Sequence, residues 1–123
     1  MVETRRKNAA VFQSLFKGDD RFIIQRENGK SSWFSFTIVL NPAKKLDRKK
    51  ILGSLRDADI EFRIITGGNF LQHDALKHYD YDCVGKIVNA HLAHDNGFFV
   101  GNFPTEAQEQ IERFHKVLTS AAN

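Results

Sequence analysis

The sequence predicts an α+β domain of two layers, in which a small, mostly antiparallel sheet carries helices packed on one side. Short apolar runs with strand-forming residues alternate with segments whose apolar residues recur at helical spacing. The apolar runs at 22–26 and 32–40 are separated by Asn28-Gly29, a pair that favours a tight hairpin turn. We therefore expect an antiparallel hairpin, and a hairpin sheet with helices on one side makes a two-layer sandwich.

Three segments have the pattern of helices. In segment 3–16 the apolar residues lie on one face, and Gly18 follows as a stop signal, but no capping residue precedes the basic first turn. Asp47 can cap a second helix over 48–57, and Pro104 marks the first turn of a third over 106–118. We expect the uncapped first helix to have lost natural turns that lie upstream.

The middle of the chain is predicted to be more irregular. A third strand is expected at 60–65 and a brief one at 98–100, with a short helix at 72–78 and an irregular or helical stretch at 84–94. No repeat, linker or low-complexity stretch marks a second domain, so the 123 residues are expected to form one domain.

Composition excludes several classes of protein. A hydrophobic content of 41% with 27% charged residues is typical of a globular protein, and no apolar run is long enough to span a membrane. The N-terminus lacks the apolar segment of a signal peptide, and Cys83, the lone cysteine, can form neither an internal disulfide nor a zinc site. We expect a cytoplasmic protein that has no membrane partner.

Segment 61–70 is the most informative part of the chain. Alternation along a strand places Glu61 and Arg63 on one face, and Phe62 and Ile64 on the other face, toward the core. The Gly-Gly pair at 67–68 then allows a sharp turn with open backbone N–H groups. The pair of charges can bind a partner; the alternative is a solvated edge pair after which the chain simply turns.

Four separated motifs share their order and spacing with a known family: Trp33-Phe34-Ser35-Phe36, segment 61–70, Tyr79-Asp80-Tyr81 and segment 89–102. Over 3–117 the chain resembles the C-terminal small domain of the DegT/DnrJ/EryC1/StrS sugar aminotransferases. It is most similar to the branch of GDP-4-keto-6-deoxy-D-mannose 3-dehydratase and its CDP-sugar relatives.

The resemblance implies a detached domain. Members of the family are vitamin-B6-dependent enzymes of deoxysugar and O-antigen lipopolysaccharide biosynthesis, and they act on nucleotide-linked keto sugars with glutamate as the amino donor. Their pyridoxal or pyridoxamine phosphate is held by a large domain upstream. The resemblance therefore implies that this chain has no catalytic or cofactor-binding residue and is inactive alone. The eleven Phe residues of so short a chain, together with its uncapped first helix, predict self-association through the surface that the missing large domain would cover.

The same resemblance assigns the candidate substrate-binding residues. Arg63 corresponds to an arginine that grips the carboxylate of glutamate, and Glu61 would orient it or accept hydrogen bonds from sugar hydroxyls. The family usually has proline after this arginine, whereas this chain has Ile64.

Four further residues, past the Gly-Gly turn and in a neighbouring segment, are expected to line or support the sugar pocket: Asn69, Phe70, Asn96 and Gly97. The alternative for these four is loop hydrogen bonding and packing.

Other readings of the sequence are weaker. His91 and His94 could share a helical face as metal ligands, but ligand spacing beside them offers only Asp95, so packing is favoured and we expect no metal. A small basic RNA-binding or interaction module is the main rival, with Trp33, Phe34 and Phe36 as an aromatic platform. Against nucleic-acid binding, Trp33 and Phe34 fall on opposite faces of a strand.

Overall fold

Four α-helices and four strands make up the regular structure of the computed structural model, which describes residues 1–65 and 67–123. In chain order they are α1 (Val2–Phe16), β1 (Phe22–Ile24), β2 (Ser35–Leu40), α2 (Arg48–Asp57), β3 (Arg63–Ile64), α3 (Val88–Asn96), β4 (Gly97–Gly101) and α4 (Gln108–Ala121). Short 3₁₀ turns occupy Pro42–Lys44, Phe70–Gln72 and Asp74–His78.

The strands form one antiparallel sheet in the order β1-β2-β4-β3. Phe36 lies opposite Val100 and Ile38 lies opposite Phe98, so these four side chains share one face, and all four are buried. Strand β4 is thus central although it comes late in the chain. The α+β fold class predicted from the sequence is confirmed.

Three helices cover the buried face of the sheet. The ring of Phe12 in α1 stacks on Phe36 of β2, with ring centroids 4.4 Å apart and an interplanar angle of 8°. The inward faces of α2 and α4 join the same cluster through Ile51, Leu55, Ile111, Phe114 and Leu118. This one-sided arrangement leaves the residues that alternate with the core positions on the opposite face of the sheet.

The helix ends follow the predictions in two of three places. Asp47 caps α2, since its carboxylate accepts from the backbone N–H of Lys50 at 3.1 Å, and α1 begins without a side-chain cap. The predicted start of the last helix is wrong: Pro104 lies outside α4. The N–H of Ala107, just before α4, donates to Asn8 of α1 at 3.3 Å.

The prediction of a tight hairpin turn is also wrong. Strands β1 and β2 pair antiparallel as predicted, but they are joined by residues 25–34. The carboxylate of Glu27 accepts from the N–H groups of Gly29 and Ser31, which closes the loop locally. Trp33 has a φ of 51°, and this left-handed backbone delays the start of β2.

The third strand is shorter than the predicted 60–65, because the N–H of Ile60 still bonds to Leu55 at the end of α2. Ile64 pairs with Phe98 and so has the register of the buried face. It is nevertheless 60% exposed, so the prediction that Ile64 enters the core is wrong. The reason is its place near the end of an edge strand.

Candidate functional site

A cleft of about 820 Å³ lies between the β3 edge of the sheet and the first half of α4. Buried core residues contribute to its lining, charged residues come from 59–63 and from α4, and aromatic residues come from the ends of β2 and β4. The lining that bears on function consists of Phe34, Asp59, Glu61, Phe62, Arg63, Phe103 and Arg113. We call this cavity the β3–α4 cleft.

Glu61 and Arg63 meet in this cleft, as the sequence predicts for two residues on one strand face. Arg63 lies opposite Phe99 of β4, and its Nη2 is 3.4 Å from Oε1 of Glu61. The side chain of Glu61 is 80% exposed and that of Arg63 is 71% exposed. An exposed ion pair of this kind contributes little to stability, so Arg63 can turn to a ligand without unfolding the strand.

The other guanidinium of the cleft, that of Arg113, forms a structural hydrogen bond. Nη2 of Arg113 in α4 donates to the backbone oxygen of Ala58, which ties α4 to the end of α2. Asp59 follows with a φ of 51° and adds a second carboxylate. The cleft thus has two cations and two anions. Among the described residues, Arg113 is bonded to a backbone oxygen, whereas Arg63 is bonded to the side chain of Glu61.

Asn69 and Phe70 do not join Glu61 and Arg63 in this cleft. They line a separate cavity of about 350 Å³ between the turn after β3 and the segment before α3. Asn69 is 2% exposed, and its N–H donates to Nδ1 of His94 at 3.0 Å. Its Nδ2 is buried without a hydrogen-bond partner in the described part of the chain.

Asn96 and Gly97 line neither of these cavities. Nδ2 of Asn96 donates to Leu92 within α3 at 3.3 Å. Gly97 is buried, and Nη1 of Arg48 in α2 donates to its backbone oxygen at 3.2 Å. The six candidate residues therefore fall into three places, and only Glu61 and Arg63 share the large cleft.

Sequence reasoning missed Phe103 at the rim of the β3–α4 cleft, and it considered Phe34 only as part of an aromatic platform for nucleic acid. Phe34 and Phe103 are 70% and 73% exposed, and both line the cleft. The proposed aromatic platform is not formed, because Trp33 and Phe36 are only 5% and 2% exposed. No local pattern marks Phe103, because its position depends on the buried side chain of Asn102, whose contacts are distant in sequence.

The displaced pKa values lie away from the cleft. The hydrogen-bonded guanidinium of Arg21 holds the pKa of the Asp19 carboxyl below its usual range, and the N–H of Gly29 does the same for Glu27. The pKa of Arg21 is raised by the same contact with Asp19.

The described residues offer little for a metal or for pyridoxal phosphate. Over 1–65 and 67–123, no three His, Cys, Asp or Glu side chains gather as a metal site, and no helix could span a membrane. Pyridoxal phosphate needs an amine for its Schiff base, and the described lining of the cleft contains no lysine. The cleft therefore does not fit that cofactor by itself.

Comparison with known proteins identifies the family. Residues 1–119 match the DegT/DnrJ/EryC1/StrS aminotransferase family. The chain belongs to this family. Its resemblance to the family, read from four motifs, is thereby confirmed.

Relatives of this DegT/DnrJ/EryC1/StrS chain include GDP-4-keto-6-deoxy-D-mannose 3-dehydratase of Yersinia pseudotuberculosis. That protein is 38% identical over 118 residues, which are 95% of this chain and 30% of the relative. The chain thus spans about 30% of the length of the curated relative.

Solved structures give the same result. The E. coli GDP-4-keto-6-deoxy-D-mannose 3-dehydratase with bound hydrated PLP has a TM-score of 0.90 at 38% identity, over 95% of this chain and 30% of that one. A GDP-4-keto-6-deoxymannose 3-dehydratase with a trapped PLP–glutamate geminal diamine also has a TM-score of 0.90 at 38% identity, over 95% and 31%.

Proposed function

We propose that this chain is the C-terminal domain of a pyridoxal-phosphate-dependent nucleotide-sugar 3-dehydratase or aminotransferase that serves deoxysugar biosynthesis. The observation that carries the proposal is the exposed pair of Glu61 and Arg63 in the β3–α4 cleft. The relative from Yersinia pseudotuberculosis supports a GDP-linked keto sugar as the class of substrate.

Arg63 binds the carboxylate of glutamate in this proposal. A guanidinium presents two parallel N–H donors that match the two oxygens of a carboxylate. The trapped PLP–glutamate geminal diamine of a relative supports glutamate as the donor. Glu61, 3.4 Å from Arg63, holds the guanidinium in place or accepts hydrogen bonds from sugar hydroxyls.

The other four candidates lie outside the β3–α4 cleft and have separate roles in the proposal. Asn69 offers a buried amide N–H that a sugar oxygen can satisfy, and Phe70, 63% exposed, offers a ring beside it. Asn96 and Gly97 support the site indirectly, because they sit at the junction of α3 and β4, and β4 holds β3 in place.

The cofactor belongs to the parent enzyme, whose large domain supplies the residues that bind it. When bound, pyridoxal phosphate would act as an electron sink that stabilises a carbanion at the carbon bonded to the amino nitrogen. The part of this chain is to bind and orient substrate groups, so the 123-residue polypeptide is expected to be inactive alone.

Self-association is the second part of the proposal. The segment around the smaller cavity exposes several large apolar side chains: Phe70, Tyr79, Tyr81, Val84 and Val88. Large apolar side chains exposed along one segment, 70–88, favour an interface or an aggregation site. We expect copies of the isolated chain to associate through it.

The role of Arg63 is tested in a chimera, where 118 residues of this chain replace the matching segment of the Yersinia pseudotuberculosis enzyme. Arg63→Lys keeps the charge but loses the paired donors, so the glutamate half-reaction should slow by roughly ten- to a hundredfold. The half-reaction with the nucleotide sugar and the melting temperature should barely change.

The matched control is Arg26→Lys, an exposed arginine outside the cleft. It should leave both half-reactions unchanged in single-turnover experiments. If Arg63→Lys lowers the melting temperature and slows both half-reactions equally, Arg63 is a structural residue and the assignment is wrong.

A further inference from the structure

Two exposed phenylalanines, Phe34 and Phe103, line the β3–α4 cleft. Single exposed apolar side chains are common and need no explanation. Here the backbone N–H of Asn102 donates to the oxygen of Phe34 at 3.1 Å, so Phe34 and the residue after Asn102, Phe103, leave the sheet together. Both rings line the cleft and are at least 70% exposed.

A buried polar network fixes the backbone that carries these rings. Asn102 and Asn8 are each 4% exposed, and Nδ2 of Asn8 donates to Oδ1 of Asn102 at 3.0 Å. Nδ2 of Asn102 donates to the oxygen of Trp33 at 2.8 Å, and Nδ2 of Asn8 lies 3.2 Å from the oxygen of Phe103. Satisfied buried networks of this kind specify a single local arrangement.

Backbone strain points to the same place. Trp33 adopts a φ of 51° although it is a bulky residue, and its side chain is 5% exposed. Such conformations are unfavourable and persist where the surrounding structure imposes them. The result is that Phe34, the next residue, is directed outward next to a buried tryptophan.

A cation accompanies the rings. The guanidinium carbon of Arg5 lies 5.5 Å from the centroid of the Phe34 ring, and its Nε donates to the oxygen of Asn102 at 2.9 Å. Aromatic faces next to a fixed arginine suit a ligand that joins a planar ring to an anion. The opposite end of the cleft has the charged pair of Glu61 and Arg63.

We propose that Phe34 and Phe103 hold the base of a nucleoside diphosphate, with Arg5 facing its phosphates. The inference rests on the proposed function and extends it, because it assigns the nucleotide to one end of the β3–α4 cleft and the reacting groups to the other end. The rival occupant of the two rings is a polypeptide surface of the large domain.

GDP is the probe, and the protein is the 123-residue chain. Amide resonances are followed by ¹H–¹⁵N NMR as GDP is added, up to about 10 mM, since one face of a site binds weakly. We expect shifts at Gly101, Asn102 and Phe34. Ribose 5-phosphate, which lacks a base, should shift these amides far less at the same concentration.

Variants assign the effect to the rings. Phe34→Ala and Phe103→Ala should each weaken GDP binding by roughly five- to a hundredfold, the range for one stacked base. Phe34→Tyr keeps the ring and should retain binding. Tyr79→Ala removes an aromatic ring that is 69% exposed and lines neither cavity, and it should leave GDP binding unchanged.

Three results would overturn the inference: no shifts with GDP, shifts confined to other surfaces, or unchanged affinity in both alanine variants. Any of these outcomes favours a polypeptide as the occupant of the rings. Loss of GDP binding in the ring variants, with no effect of Arg63 on the glutamate half-reaction, would refute the proposed role of Arg63 alone.

Discussion

Gly97→Ala tests whether the junction of α3 and β4 is built by packing. Gly97 is buried, and a Cβ placed on its backbone would lie 2.7 Å from Cγ1 of Ile65 and still closer to the backbone oxygen of Ala93. The Ala93 oxygen belongs to α3 and cannot rotate away. Relief therefore requires that α3 and β4 move apart.

The expected loss of stability is about 1–3 kcal/mol, the usual range for one added methyl group in a packed site. Gly97 has a φ of −95°, a backbone conformation that alanine adopts freely, so the loss reflects contact and not backbone strain. For a domain of this size, 1 kcal/mol corresponds to roughly 4 °C in melting temperature.

Chemical denaturation followed by circular dichroism measures the difference. The control is Gly53→Ala in α2, where a Cβ would meet open space, and alanine should stabilise the helix by about 0.5–1 kcal/mol. If Gly97→Ala is as stable as the parent chain, the close approach of α3 to β4 is wrong. The argument that Gly97 is kept for packing then fails.

Three further predictions concern charge, association and the cofactor. The hydrogen-bonded guanidinium of Arg21 lowers the folded pKa of Asp19, so Asp19 stabilises the fold above about pH 4, and this stabilisation is lost as the pH falls through the folded pKa. Asp19→Asn should cost about 1 kcal/mol at neutral pH and progressively less as the pH falls below about 4, as measured by urea denaturation. Val84→Glu should reduce self-association in sedimentation, because Val84 is 88% exposed on the apolar surface, and a strictly monomeric parent chain would contradict the proposal. The isolated chain should form no aldimine absorbance band with pyridoxal phosphate; a band fixed by borohydride on one lysine would refute this.

The sequence was sufficient where the determining contacts are local. Helix α2 was predicted with its cap because Asp47 and Lys50 are three residues apart, and the bond between them formed as expected. The boundaries of the strands were not predicted correctly, because they depend on groups that are distant in sequence. Oε1 of Gln25 accepts from the N–H of Thr37 at 2.9 Å, which replaces the next rung of the β1–β2 ladder and widens the loop.

The candidate site divides in the same way. Glu61 and Arg63 could be placed together because alternation along a strand needs no tertiary information. The rim formed by Phe34 and Phe103 could not, because it depends on a bond between Asn102 and Trp33, which are 69 residues apart. Periodicity gives no sign that segment 33–34 and segment 102–103 meet.

The geometry of β3 explains why Arg63 needs support from residues outside this chain. Arg63 stands on a strand of two residues that pairs with β4 on one side, and its side chain is 71% exposed. A binding guanidinium must be held within about 0.5 Å of its productive position by packed neighbours. The aromatic end of the cleft meets this requirement within the chain through the buried Asn8–Asn102 network, whereas among the described residues Arg63 has Glu61 as its one hydrogen-bond partner. In the proposed function, donor binding at Arg63 should therefore depend on the large domain of the parent enzyme much more strongly than nucleotide binding at the rings does.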